Sequence, residues 1–345
     1  MVTDNFTNKN QHSTTHNDSR CTKNSTGIVI IGRNEGERLK NCIASIPNDF
    51  RSRTVYVDSG STDDSIYHAA NQGLITLSLD LDLPFTAARA RNTGFNHLLD
   101  KFPDLQFVHF IDGDCSFADG WLEQALNYLE NNAHVALVCG RRREIYPDAS
   151  IYNWLCDIEW NTPVGVTNAC GGDFLVRSEC FRQVDGFNSD LIAGEEPELC
   201  YRLRQTGKMI VRLDHDMTLH DANIHSFKQW FRRNMRAGYA FTEGVFMYLG
   251  TPDGYWRKEL LRIVFWGILL PFIIIAATII NKWYSLFLLI YPLQATRISL
   301  KVHAKRKDIR FGIFMVLGKF PEALGMLNYL INRLTKTRRK LIEYK

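Results

Sequence analysis

From Gly27 to Cys139 the chain repeats one pattern, a short apolar run followed by a break and often by a helix-length stretch. The runs are Ile28–Ile31, Thr54–Val57, Leu74–Leu79, Phe107–Ile111 and Val135–Cys139. Helical spacing falls between them at Arg38–Ile46, Ala87–Leu99 and Trp121–Leu129. Apolar runs this short, separated by helices, predict strands buried on both faces. The expected fold class is therefore α/β, a mostly parallel mixed sheet flanked by helices in a Rossmann-like arrangement. Such sheets bind ligands beyond the carboxyl ends of their strands. Arg33-Asn34-Glu35, Asp58 and Asp112 all follow strand ends and belong at that edge.

Asp112-Gly113-Asp114 closes the fourth run. Two carboxylates one residue apart at the end of a buried strand make a hard, oxygen-rich site, suited to Mg²⁺ or Mn²⁺ carrying a diphosphate. The pair alone carries little weight, because surface loops contain such pairs by chance. Other segments add chemistry. Asn34 and Glu35 can accept from ribose hydroxyls or base N–H groups. Structural alternatives stand beside these: Asn34 as a helix N-cap, Gly60 and Ser61 as a plain turn, and Glu195, Glu196 and Glu198 as complements to a helix N-terminus.

Charge and composition exclude some classes. A formal charge of +4 over 345 residues, with no basic stripe interleaved with aromatics, argues against nucleic acid as a partner. The eight cysteines contain no C-x-x-C pair, so a zinc site or redox dithiol is not expected. They read as reduced thiols of a cytosolic domain.

Three regions are expected. Residues 1–26 are rich in Asn, Thr, Ser and Lys and read as a disordered tail without a secretory signal. Residues 27–250 form the catalytic domain. Residues 251–345 form membrane-associated helices with a basic tail. Ile263–Ile280 holds 18 residues without a charge, and Trp283–Thr296 is a second uncharged stretch, so a transmembrane hairpin turning at Asn281-Lys282 is expected. The alternative is a pair of buried helices. Lys258 and Arg262 precede the hairpin and the Lys301–Arg310 cluster follows it, which places both ends and the catalytic domain in the cytoplasm, at the cell membrane. Phe311–Ile331, interrupted by Lys319, Pro321 and Glu322, reads as an interfacial or re-entrant helix pair.

Taken together, Ile30–Glu35, Val57–Ser65, Thr86–Gly94, Asp112–Asp114, Asn168–Asp173 and Ala193–Leu203 resemble, in order, the motifs of the inverting family 2 glycosyltransferases, with their A-type nucleotide-diphospho-sugar transferase fold. The resemblance covers residues 27–245. It implies a nucleotide site at Arg33, Asn34, Glu35, Asp58, Arg91 and Asp112, with Asp58 on the pyrimidine N3–H and hence a UDP-sugar donor. It makes Asp114 the direct metal ligand, Asp112 a ribose or metal-water contact, and His220 a third ligand. His225 is a weaker one. It makes Glu196 the general base where the family usually has Asp, with Glu195 as substitute. Gly172 and Asp173 fall on the acceptor side. Ser59 stands where many members have a second Asp.

Gln229–Arg233 partly resembles the Q-x-x-R-W of processive synthases, but Arg233 occupies the Trp position, which favours single-sugar transfer. The acceptor implied is a lipid-linked or cell-envelope polysaccharide hydroxyl, and the cofactor Mn²⁺ or Mg²⁺. The competing reading is a catalytically idle nucleotide-sugar-binding membrane scaffold. A nucleotidyltransferase on a similar fold would need a Gly-rich phosphate loop, which Gly32–Gly36 does not supply.

Overall fold

The computed structural model describes residues 23–80, 82–83, 86–251, 254–301 and 308–335. Nine strands form one sheet: β1 Thr26–Gly32, β2 Thr54–Asp58, β3 Ile75–Ser78, β4 Phe107–Asp112, β5 Cys115–Phe117, β6 Val135–Glu144, β7 Gly165–Thr167, β8 Phe174–Arg177 and β9 Met209–His220. Their order is β3-β2-β1-β4-β8-β6-β9-β5, with β7 also on β9.

The sheet is more mixed than expected. β1 pairs in parallel with β2 and β4, β2 with β3, and β6 with β9. The pairs β4–β8, β6–β8, β5–β9 and β7–β9 are antiparallel. The antiparallel character comes from β5, β7 and β8, runs of three or four residues too short to carry a period.

The five expected strands form with shifted ends. The first half is the parallel unit that the alternation predicted, and its core is nearly dry: Ile28, Val29, Ile30, Val55, Val57, Val108 and Phe110 are fully buried. Registers Gly32 with Asp58 and Ile31 with Asp112 bring the carboxyl ends of β1, β2 and β4 level. The helix Ala87–Lys101 lies flat on these strands. A Cβ on its Gly94 would meet Val29 Cγ1 at 2.5 Å, so only glycine permits this approach. One turn earlier, Arg91 is thereby held at the strand ends.

The expected tail boundary moves. Residues 1–22 lie outside the described residues, whereas Thr26 is fully buried and begins β1. At the other end, one helix among the described residues is long and apolar enough to cross a membrane, Arg257–Ile280, with a mean hydropathy of 2.7 over its best window and only 11% of that window buried. The expected hairpin of two such helices is not found among the described residues. The second stretch breaks into a 3₁₀ turn, Lys282–Leu289, and a helix, Ile290–Lys301, which includes Arg297. Lys305, Arg306 and Lys307 of the basic cluster, and Lys336, Arg338, Arg339 and Lys340, lie outside the described residues.

The Arg257–Ile280 helix contains a π-helical turn at Phe265–Leu269, where Leu270 N–H donates to Phe265 O. In that register the next donor, to Trp266 O, would be the N–H of residue 271, which is proline. The Tyr291 hydroxyl supplies the missing hydrogen bond at 2.9 Å. Pro271 thus couples the bulge to the Ile290–Lys301 helix. Phe311–Ile331 folds as a helix pair, Ile309–Leu317 and Lys319–Thr335, the second packed along Phe227–Met247.

Candidate active site

The site is organised around Arg91, a guanidinium with 2% of its side chain exposed. Its Nη2 donates to Asp112 Oδ1 at 2.7 Å. Its Nη1 donates to Glu195 Oε1 at 3.1 Å and Glu196 Oε1 at 3.0 Å. One side chain thus ties the aspartate pair after β4 to the acidic start of the Glu195–Gln205 helix. That start follows Gly194 and carries Glu195, Glu196 and Glu198 in its first turn, where the helix dipole favours negative charge.

Charge is unequally shared among these groups. Burial would raise the pKa of Asp112, but the Arg91 and Arg142 guanidinia outweigh it and hold the carboxyl below its ordinary value. Glu196 goes the other way. Burial first, and then the charge of Glu195, push it up to about 7 against the opposing pull of Arg91. Asp112 is therefore ionised, while Glu196 is a carboxylate able to take or release a proton near neutrality.

Sequence reasoning missed Arg142, on the part of β6 beyond its apolar run. Its Nε donates to Asp173 Oδ2 at 2.9 Å, and its Nη2 lies 3.5 Å from Asp112 Oδ2. Three consecutive arginines follow the run, and the pleat alone separates Arg142 from its neighbours. Arg141 pairs with Asp157 and Arg143 with Asp216, away from the site. Trp160 was missed as well. Its ring packs 4.8 Å from that of His220 and beneath the Arg142 guanidinium.

His220, the last residue of β9, lies with Nε2 3.2 Å from Asp114 Oδ2, both 8% exposed. β5 pairs with β9 and opposes Cys115 to His220, which brings the histidine to the aspartate pair across a long sequence separation. Asp114, Cys115 and His220 could share a metal ion, as could Asp112, Cys115 and Asp173. Burial, then the charge of Asp173, raise the Cys115 thiol well above its usual pKa, so it stays protonated and ligates poorly. The remaining carboxylates and imidazole are a donor set that fits Mn²⁺ or Mg²⁺.

The nucleotide-side residues divide. Arg33 and Asn34 are exposed at the mouth after β1. Asn34 takes a left-handed φ of 56°. Its Oδ1 accepts from the Thr62 N–H at 2.7 Å, so it tethers the second loop instead of capping a helix. Glu35 pairs with Arg38 at 2.9 Å. Asp58 is 1% exposed, and its oxygens accept from the Tyr56 hydroxyl, the Gly60 and Ser61 N–H groups and the Ser61 hydroxyl. These four donors fill the lone-pair sites of a carboxylate.

The acceptor-side pair also divides. Asp173 is fully buried, its oxygens taken by the Asp112 N–H, Arg142 and the Thr218 hydroxyl, so it sits beneath the site surface expected for it. Gly172 lies at the centre. A Cβ there would meet Arg91 Nη2 at 2.5 Å, Asp112 Oδ2 at 2.8 Å and Glu196 Oε1 at 3.2 Å. His225 is exposed and hydrogen-bonded to Asn223.

The chain has relatives among known proteins. Residues 27–163 match the family described as Glycosyl transferase family 2. The match marks a glycosyl transferase family 2 domain within those residues, less than half of the chain. Glycosyltransferase AglE of Haloferax volcanii is 23% identical over 223 residues, 61% of this chain and 71% of that protein. Pre-mycofactocin glycosyltransferase of Mycobacterium tuberculosis is 25% identical over 222 residues, and the chain spans only 44% of its length. Two solved structures share the fold. Mannosyltransferase PcManGT from Pyrobaculum calidifontis, solved in complex with GDP-Man and Mn²⁺, superposes with a TM-score of 0.55 at 16% identity, over 88% of this chain and 87% of that one. Residues 1–349 of TarS from S. aureus superpose with a TM-score of 0.50 at 13% identity, over 93% and 95% of the two chains. The mixed, helix-flanked sheet is thus the fold shared with these two structures.

Proposed function

We propose that this glycosyltransferase moves one sugar, with inversion, from a nucleoside-diphosphate sugar to a hydroxyl of a lipid-linked or envelope-polysaccharide acceptor, next to a membrane entered by Arg257–Ile280. The observation that carries the reading is the Arg91 bridge, which places an ionised Asp112 and a near-neutral Glu196 at 2.7 and 3.0 Å from one guanidinium.

Glu196 accepts the proton of the acceptor hydroxyl as that oxygen attacks the anomeric carbon. Attack from the face opposite the diphosphate inverts the centre. Asp114, Asp112 and His220 would hold a divalent ion, Mn²⁺ or Mg²⁺, which offsets the charge of the departing diphosphate. Arg91 keeps the base and the aspartate pair in register, and Glu195 shares its load. Arg33, Asn34 and Glu35 form the nucleoside wall. The donor we assign is a UDP-sugar. Rotation of the Ser61 hydroxyl off Asp58 would free an acceptor for the N3–H of uracil.

The test is nucleoside-diphosphate release from a panel of UDP-, GDP- and dTDP-sugars by the detergent-solubilised chain, with Mn²⁺ or Mg²⁺ and membrane lipid as acceptor. Metal-dependent release that disappears in both Asp114→Ala and Glu196→Gln supports the reading. Release unaffected by either variant overturns it. Donor binding that Asp114→Ala leaves unchanged, with no turnover, favours an idle scaffold.

A further inference from the structure

A cavity of about 520 Å³ opens beside the π-helical turn. Four cations line it, Arg262, Arg297, Lys301 and Lys319, together with Trp266 and Phe311, and no acidic side chain is among its described lining. The cations come from three helices, Arg257–Ile280, Ile290–Lys301 and Lys319–Thr335, so the cluster is made by the fold and is not a charge run along one face. Glu259 approaches Arg262 only at 3.7 Å, and Glu322 pairs with Lys319 from outside the lining. The cavity therefore keeps a positive excess beside apolar walls. The Pro271 bulge and the Tyr291 hydrogen bond to Trp266 O fix one of those walls.

Two neighbouring features give the ligand a shape. Below the cavity, Phe265, Leu269 and Phe272 of the Arg257–Ile280 helix are 44%, 45% and 69% exposed, an apolar track continuous with Trp266. Above it, Lys301 and Phe311 also line a larger polar cleft of about 1100 Å³, whose wall includes Glu159 and Asn161. Trp160, between those two residues, packs on His220 of the candidate active site. A ligand with an apolar tail, a phosphate and a polar head would place these parts on the track, in the cationic cavity and in the cleft, respectively. Guanidinium and ammonium groups are the usual partners of phosphate oxygens.

We propose that this cavity binds the phosphate of a membrane amphiphile, and that this amphiphile is the acceptor, held by its phosphate so that its head projects toward Glu196. The role as acceptor rests on the function proposed above, while the binding itself does not.

Farnesyl phosphate is the probe, titrated against the full-length chain in detergent micelles and followed by tryptophan emission, with Trp266→Phe identifying the responding ring. Farnesyl phosphate should saturate the signal, farnesol should not, and inorganic phosphate at millimolar concentration should fail to displace the probe. The double variant Arg262→Gln/Arg297→Gln should bind about tenfold or more weakly, since each lost charge-assisted contact is of that order. Both side chains face solvent, and unchanged circular dichroism with an unchanged thermal unfolding midpoint would show that the variant is folded. Equal binding of farnesol removes the phosphate from the proposal. Displacement by inorganic phosphate replaces the lipid with a free anion, and an unaffected double variant places the site elsewhere. Binding without any sugar transfer would overturn the proposed function and leave the phosphate site standing. Transfer without binding would do the reverse.

Discussion

Gly172→Ala adds one methyl group at the most crowded point of the site. Its Cβ would lie 2.5 Å from Arg91 Nη2, where ordinary contact begins at 3.4 Å, so something must retreat by the difference, 0.9 Å. Arg91 has little room to do so, being 2% exposed and bound to three carboxylates. Moving it shifts Asp112 and Glu196 together, because both hang on the same guanidinium. A displacement of about 1 Å in a catalytic group costs about 100-fold in rate. Overpacking of this kind costs about 1–3 kcal/mol of stability, so the protein should still fold. Gly171→Ala is the control, since its Cβ would meet Arg142 Cζ at 3.9 Å, an ordinary contact. The assay is metal-dependent nucleotide release by wild type and both variants, with thermal denaturation alongside. Gly172→Ala should lose about two orders of magnitude and Gly171→Ala almost nothing. Comparable activity in Gly172→Ala, or equal loss in both, would refute the placement of Gly172 between base and aspartate pair.

Glu196 must be ionised to act as base, so log(kcat/KM) should climb with unit slope below about pH 7 and level off above it, a limb absent from Glu196→Gln. Because its folded pKa lies above the ordinary 4.5, ionising Glu196 opposes folding, and stability is lost as pH rises from 4.5 through about 7. Glu196→Gln should therefore raise Tm more at alkaline than at acid pH, and a pH-independent difference would remove the burial argument. His220→Ala should weaken Mn²⁺ binding about tenfold or more by electron paramagnetic titration, and unchanged affinity would exclude it as a ligand. Asp58→Asn leaves the Gly60 and Ser61 N–H groups facing an amide that cannot satisfy all four donors, at a cost of about 2–3 kcal/mol seen in denaturant unfolding. A neutral result would show that the loop does not depend on the carboxylate.

The parallel half of the sheet was readable because each of its strands is a closed apolar run ending at a polar motif. The loops after β1, β2 and β4 lie level in the structure, as the alternation requires. The other half was obscure for a physical reason. β8 is four residues long, and β5 and β7 three each, and such segments are strands only because longer neighbours pair with them. β9 is long, but its outer half reads Asp214-His215-Asp216, polar enough to pass for a loop, so the sequence does not show that His220 sits on a strand edge opposite Cys115.

Side-chain partnership was the least legible property. The family resemblance makes Arg91 a nucleotide-side ligand, since a guanidinium suits a diphosphate. In the fold its anions are its own chain's, 21, 104 and 105 residues away. The same holds for Asp58 and Asp173, which read as ligand contacts and are filled by internal donors. A motif fixes which groups reach the strand ends. Which of them remain open to a substrate is decided by residues such as Arg142 and Thr218, brought in by β6 and β9 from the half of the sheet that carries no local signal. That division explains why the proposed chemistry concentrates on Asp112, Asp114, Glu196 and His220, gathered at the ends of β4 and β9 and the start of the Glu195–Gln205 helix, and why Arg91 and Asp173 are better understood as the supports that aim them.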